Sequence, residues 1–121
     1  MKNDFTKQHC VPCEGGVAPL KGMDLELLVK SVAGWKLIEP TLRPAQGEQT
    51  RKISREFKFK NFVEAMTFVN KVAALAEKEG HHPDIYISFN RVRLELTTHA
   101  IGGLSQNDFI LAAKIDQAKR H

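Results

Sequence analysis

Two adjacent histidines, His81 and His82, sit in the stretch EKEGHHPDIYISFN, between a run of helical periodicity and a run of strand alternation. Histidine titrates near neutrality and can give or take a proton, so the pair raises acid/base chemistry or metal ligation. Neighbouring side chains on extended backbone point to opposite faces, so the two can share a site only where the chain turns. A third histidine is brought in by the hairpin that follows. Ile85, Ile87 and Phe89 alternate, Val92, Leu94 and Leu96 alternate, and Asn90-Arg91 lies between them. A two-residue turn at Asn90-Arg91 sets Phe89 opposite Val92, Ile87 opposite Leu94 and Ile85 opposite Leu96, with every apolar side chain on one side. The same register carried outward sets His82 opposite His99, where opposed Cβ atoms lie about 4.5 to 5.5 Å apart. Three histidines then border one site. Asp108 follows Ser105 in a Ser-x-x-Asp helix start, which makes it a capping residue. It also shares the helical face of Leu111 and Ile115, which turns it inward, toward a histidine. Glu77 lies one turn before Gly80 and reads as a helix-end charge or as a neighbour of the site.

A second group of chemically able residues is the HCVPC stretch, with Cys10 and Cys13. One Cys-x-x-Cys preceded by a histidine is at most part of a zinc set, and no second pair completes it. The expectation is therefore no metal.

The elements that must carry these residues follow from periodicity. Leu25, Leu28, Val29 and Val32 recur at helical spacing from Met23 to Val32, with Gly34 as a stop. WKLI suits a short strand, EPTLRPAQGEQ a loop, and RKISREFKF a strand with Ile53, Phe57 and Phe59 on one side and Lys52, Ser54, Glu56 and Lys58 on the other. Asn61 with Glu64 is a capping box, and Phe62, Met66, Val69, Val72, Ala73 and Ala76 continue as a helix that Gly80 ends. The last helix starts at Ser105 and carries Leu111, Ile115 and Ala118. Strand pairs separated by helices predict an α+β fold, a four-stranded antiparallel sheet with three helices packed on one face, in the order α-β-β-α-β-β-α. Residues 1–22, with Pro12, Gly15, Gly16, Pro19 and Gly22, read as an irregular arm that contributes no core, and residues 23–121 as a single domain.

Composition bounds the class. The chain has 121 residues, 42% hydrophobic and 26% charged, as in an ordinary globular protein. Its net charge of +4 is spread along the chain rather than gathered on one basic face, so no nucleic-acid partner is expected. No apolar run suits a membrane span or a secretory leader, and two close cysteines make no disulfide framework; a cytoplasmic protein is expected.

The spacing Glu77, three residues, His81-His82-Pro83, five residues, Phe89, nine residues, His99, eight residues, Asp108 resembles the signature of the pterin-4a-carbinolamine dehydratases. CVPCEGG, a short helix and the Gly34-Trp35 pair resemble the N-terminal part of bacterial members, so the resemblance covers nearly the whole chain. The departures are a longer loop between Trp35 and Arg51, Gly80 where an acidic residue is common, and Asn107 where a basic one can occur. The resemblance implies dehydration of 4a-hydroxytetrahydropterin, the product of aromatic amino-acid hydroxylases, to quinonoid dihydropterin and water, with no cofactor. It implies His81 and His99 as acid/base residues and Asp108 as the group that holds or tunes a histidine. Glu77, Gly80, His82, Thr97 and Thr98 would contact the pterin. The chain would turn between Gly80 and Pro83, so that both adjacent histidines border one pocket. It also implies a homodimer or homotetramer. The alternatives are a non-catalytic interaction module on the same fold, such as a dimerisation cofactor, and a zinc enzyme using the three histidines.

Overall fold

The structure, a computed structural model, describes residues 19–39 and 51–120 together with Lys7. Cys10, Cys13 and most of the loop before the second strand lie outside the described residues.

Local signals set the helices. Asn61 is extended, and its Oδ1 accepts the Glu64 N–H at 2.9 Å, which starts helix α2, Phe62–Glu79. Ala65, Phe68, Val69, Val72 and Ala76 are buried along one face of it, and Gly80 ends it in the left-handed region at φ 66°. Helix α1, Gly22–Ser31, starts one residue before the expected Met23 and takes Val32 as its C-cap. Helix α3 spans Gln106–Arg120. The strands are β1, Lys36–Ile38, β2, Lys52–Lys58, β3, Asp84–Ser88, and β4, Arg91–Leu96. They form one antiparallel sheet in the order β1-β2-β4-β3, which is the expected α+β arrangement and element order.

One face of the sheet faces the helices. Ile53 and Phe57 of β2 and Val92, Leu94 and Leu96 of β4 are buried with Leu25, Phe68, Val72, Phe109, Leu111 and Ile115 from the three helices. Burying each such side chain is worth about 1.5 to 3 kcal/mol, so this layer fixes how the helices sit on the sheet. Arg55 also falls on this face, paired with Leu94, and it is satisfied at the core's margin. It donates to Asp116 Oδ1 at 2.9 Å, where the Trp35 indole N–H also donates at 3.0 Å. The opposite face is polar, with Lys52 3.6 Å from Glu95 and Arg93 stacked 4.3 Å over the Tyr86 ring.

Two expectations are corrected. The β3–β4 turn is Phe89-Asn90 rather than Asn90-Arg91, so Ile85 faces Leu94, Ile87 faces Val92 and Ser88 faces Arg91. Asn90 is the physical reason: its carbonyl accepts the Phe59 N–H at 2.8 Å, and its side-chain amide donates to the Phe59 carbonyl at 2.9 Å. That clamp ties the turn to the end of β2 and leaves Phe89 exposed at φ 51°. Because the pairing slips by two residues rather than one, the apolar faces stay in phase. The arm is corrected at its end: Leu20 packs against the core, and its N–H donates to the Leu104 carbonyl at 2.9 Å.

Candidate active site

The end of α2 delivers the histidines. Gly80 adopts the left-handed conformation, and the His81 N–H bonds back to the Ala76 carbonyl at 3.2 Å, closing the helix. The chain turns there, before β3 begins at Asp84, and His81 points toward α3. Its Nε2 lies 2.6 Å from Asp108 Oδ1, with the two side chains 12% and 0% exposed. A wholly buried carboxylate must have its oxygens satisfied, and these are. Oδ2 accepts the Thr98 hydroxyl at 2.8 Å and the Ser105 backbone N–H at 2.9 Å.

These partners fix proton positions. The Thr98 hydroxyl has one proton, and Asp108 takes it, so Ser105 Oγ, 2.7 Å from Thr98 Oγ1, is the donor of that second bond. Ser105 Oγ in turn accepts the Asn107 N–H at 3.2 Å. With Oδ2 holding two donors, Oδ1 receives the Nε2–H of His81. Asp108 thereby selects the imidazole's tautomer and leaves Nδ1 as the nitrogen able to exchange a proton with a bound molecule. Both expectations for Asp108 hold together. It is the capping residue of α3, with its own N–H donating to the Ser105 carbonyl at 3.1 Å, and it is aimed at a histidine.

His82 meets a different carboxylate. Its Nε2 lies 2.5 Å from Glu77 Oε2, and those side chains are 60% and 79% exposed. Solvent surrounds this pair, so each partner is free to exchange the other for a ligand.

The other expected residues are distributed unevenly. His99 does not face His82 across the ladder, because pairing ends at Asp84 opposite Glu95 and β4 stops at Leu96. It opens a short 3₁₀ turn, His99–Ile101, with its ring exposed. It follows directly after Thr98, and through that residue its backbone is tied to Asp108. Thr98 is buried with its proton engaged on Asp108, and Thr97 is buried with its hydroxyl donating to the Arg51 carbonyl at 2.7 Å. Both hydroxyl protons are thus engaged within the protein, by the Arg51 carbonyl and by Asp108. Gly80 supplies the corner. Among the described residues, no group of three or more His, Cys, Asp or Glu side chains is placed to hold a metal ion. What sequence reasoning missed is Ser105 as a donor, to Asp108 through its N–H and to Thr98 through its hydroxyl. The Ser-x-x-Asp spacing was the signal, since a capping box sends that N–H to the carboxylate.

Fold and site together define an α+β protein with a buried His–Asp pair of the kind that orients an acid/base imidazole. Residues 18–118 match the family described as Pterin 4 alpha carbinolamine dehydratase. The chain belongs to that family. It is 47% identical over 93% of its length to a Nitrosomonas eutropha protein, covering 91% of that protein. It is 41% identical over 95% of its length to a Rubrobacter xylanophilus protein, covering 98% of it. Both relatives carry provisional pterin-4-alpha-carbinolamine dehydratase names. Among solved structures, a transcriptional coactivator/pterin dehydratase from Brucella melitensis superposes with a TM-score of 0.71 at 30% identity, covering 84% of this chain and 98% of that one. A pterin dehydratase-like RuBisCO assembly factor of the alpha-carboxysome shares the fold, with a TM-score of 0.55 at 22% identity, over 71% of this chain and 89% of its own. Among the described residues, no helix is long and apolar enough to cross a membrane.

Proposed function

We propose that this protein dehydrates 4a-hydroxytetrahydropterin to quinonoid dihydropterin and water, and so returns the pterin released by aromatic amino-acid hydroxylases. The observation that carries this reading is the bond from His81 to the buried Asp108, within a chain of the dehydratase family. The reaction breaks a carbon–oxygen bond, with a proton delivered to the departing hydroxyl. A second proton leaves the adjacent ring nitrogen, and its bonding electrons form the new double bond. No electrons are exchanged with another molecule, so positioned proton donors and acceptors suffice and no resident cofactor is required. His81, through Nδ1, handles one proton, and His99, at the mouth of the 3₁₀ turn, handles the other. His82 and Glu77, both solvent-facing, orient the pterin. The protein works in the cytoplasm as a homodimer or homotetramer. The position of β3 as an edge strand among the described residues and the exposed Ile87 and Phe89 support self-association.

The test is decay of the carbinolamine in stopped flow with purified protein and with His81→Ala. Acceleration by the native protein, lost in the folded variant, is expected. An unchanged rate in the folded variant would remove His81 from the reaction, and no acceleration by the native protein would transfer the reading to an interaction module; the Brucella protein is described as a transcriptional coactivator as well as a pterin dehydratase.

A further inference from the structure

We infer that the ion pair between Glu79 and Lys114 positions His81 against Asp108. The inference rests on the dehydratase reading of His81. Lys114 Nζ lies 3.5 Å from Glu79 Oε2, and the side chains are only 10% and 2% exposed. Glu79 is the last residue of α2, and Lys114 belongs to α3, the helix that also carries Asp108. The two residues that flank Gly80 are therefore each bonded to α3, Glu79 through Lys114 and His81 through Asp108. Gly80 cannot hold this corner. A Cβ built there would meet nothing within 4 Å, and glycine is the residue with the greatest backbone freedom. The bond from the His81 N–H to the Ala76 carbonyl fixes the corner relative to α2 but not α2 relative to α3. Interdigitated apolar side chains seat both helices on the sheet and set their coarse register. A desolvated ion pair one residue from the corner ties the end of α2 to the helix that carries Asp108, and this last adjustment decides how closely the His81 ring meets Asp108.

The buried pair is also part of the lining of a groove between α2 and α3, with Lys71 and Lys78. None of these four residues was assigned to the site from sequence. Glu79 and Lys114 are positioning residues, acting through His81 rather than on the substrate.

The test uses the full chain with labelled histidines. The readout is the NMR signal of the His81 Nε2 proton bonded to Asp108, with kcat and KM for carbinolamine dehydration measured in parallel. In Lys114→Gln the signal should broaden or vanish and kcat should fall about tenfold to a hundredfold, the scale of a small misplacement, with KM little changed. Lys114→Arg, which keeps the charge, should retain both. Should Lys114→Gln fail to fold, Glu79→Gln/Lys114→Gln removes the pair without leaving a buried charge alone, and the same losses are expected. An unchanged His81 signal and rate in a folded variant, even with lowered thermal stability, would overturn the inference. Loss of the signal in Lys114→Arg as well would overturn it too, since volume rather than charge would then hold the corner. If the native protein fails to accelerate carbinolamine decay, the dehydratase reading fails by itself, and the NMR signal still decides the positioning.

Discussion

His81 and His82 are neighbours in the chain, each with a carboxylate at hydrogen-bonding distance, 2.6 Å to Asp108 and 2.5 Å to Glu77. Chemically the two pairs are the same. They differ in what surrounds them, because one lies within the helix–sheet interface and the other in solvent. An exposed pair of this kind contributes about 0 to 1 kcal/mol and is screened by salt. Removing one partner of a buried charged pair costs about 3 to 5 kcal/mol, because the other is left without compensation. Asp108 moreover has three donors, whose proton positions follow from one another. Burial therefore separates the two: a fixed pair that sets an imidazole's tautomer, beside a loose pair in solvent.

The largest effect should come from removing the proposed acid/base histidines, His81 of the buried pair and the exposed His99. His81→Ala and His99→Ala are each expected to lower kcat/KM for carbinolamine dehydration by about 10² to 10⁴, with circular dichroism unchanged. The double variant should lose less than the product of the two, as residues acting in one step do. Asp108→Ala should lower unfolding free energy by about 3 to 5 kcal/mol in urea, since it strands Thr98 Oγ1, the Ser105 N–H and His81 together. On the exposed side, His82→Ala should raise KM severalfold more than it lowers kcat and leave thermal stability alone. Smallest of all, Cys10→Ser/Cys13→Ser should leave kcat within about twofold, because the proposed acid/base groups are the histidines. A hundredfold drop there would bring the arm into the site.

The contrast between the pairs was only half legible in the sequence. Helical periodicity, the Asn61 and Ser105 caps and strand alternation gave the element order, because each is a local signal. Asp108's inward face could be read from its phase with Leu111 and Ile115. The register of the β3–β4 hairpin could not, because it depends on a long-range clamp: Asn90 holds the end of β2 through Phe59, and no periodicity encodes that. The placement of His99 failed with it, since it depended on a ladder that ends at Glu95. The partners of the Thr97 and Thr98 hydroxyls, the Arg51 carbonyl and Asp108, could not be read either, an assignment only packing can make. The Glu79–Lys114 pair was invisible for the same reason, two ordinary charges on helices whose relative register is set by the fold.

The most direct test replaces each carboxylate by its isosteric amide and compares kcat/KM for carbinolamine dehydration in folded Asp108→Asn and Glu77→Gln. Asp108→Asn keeps the volume but presents an amide to His81, which disturbs the tautomer, and a loss of about 10² or more is predicted. Glu77→Gln, in solvent, should stay within about fivefold of the native enzyme, the equivalent of a surface pair. Equal losses in the two variants, or a larger loss in Glu77→Gln, would contradict the assignment of proton chemistry to the buried pair.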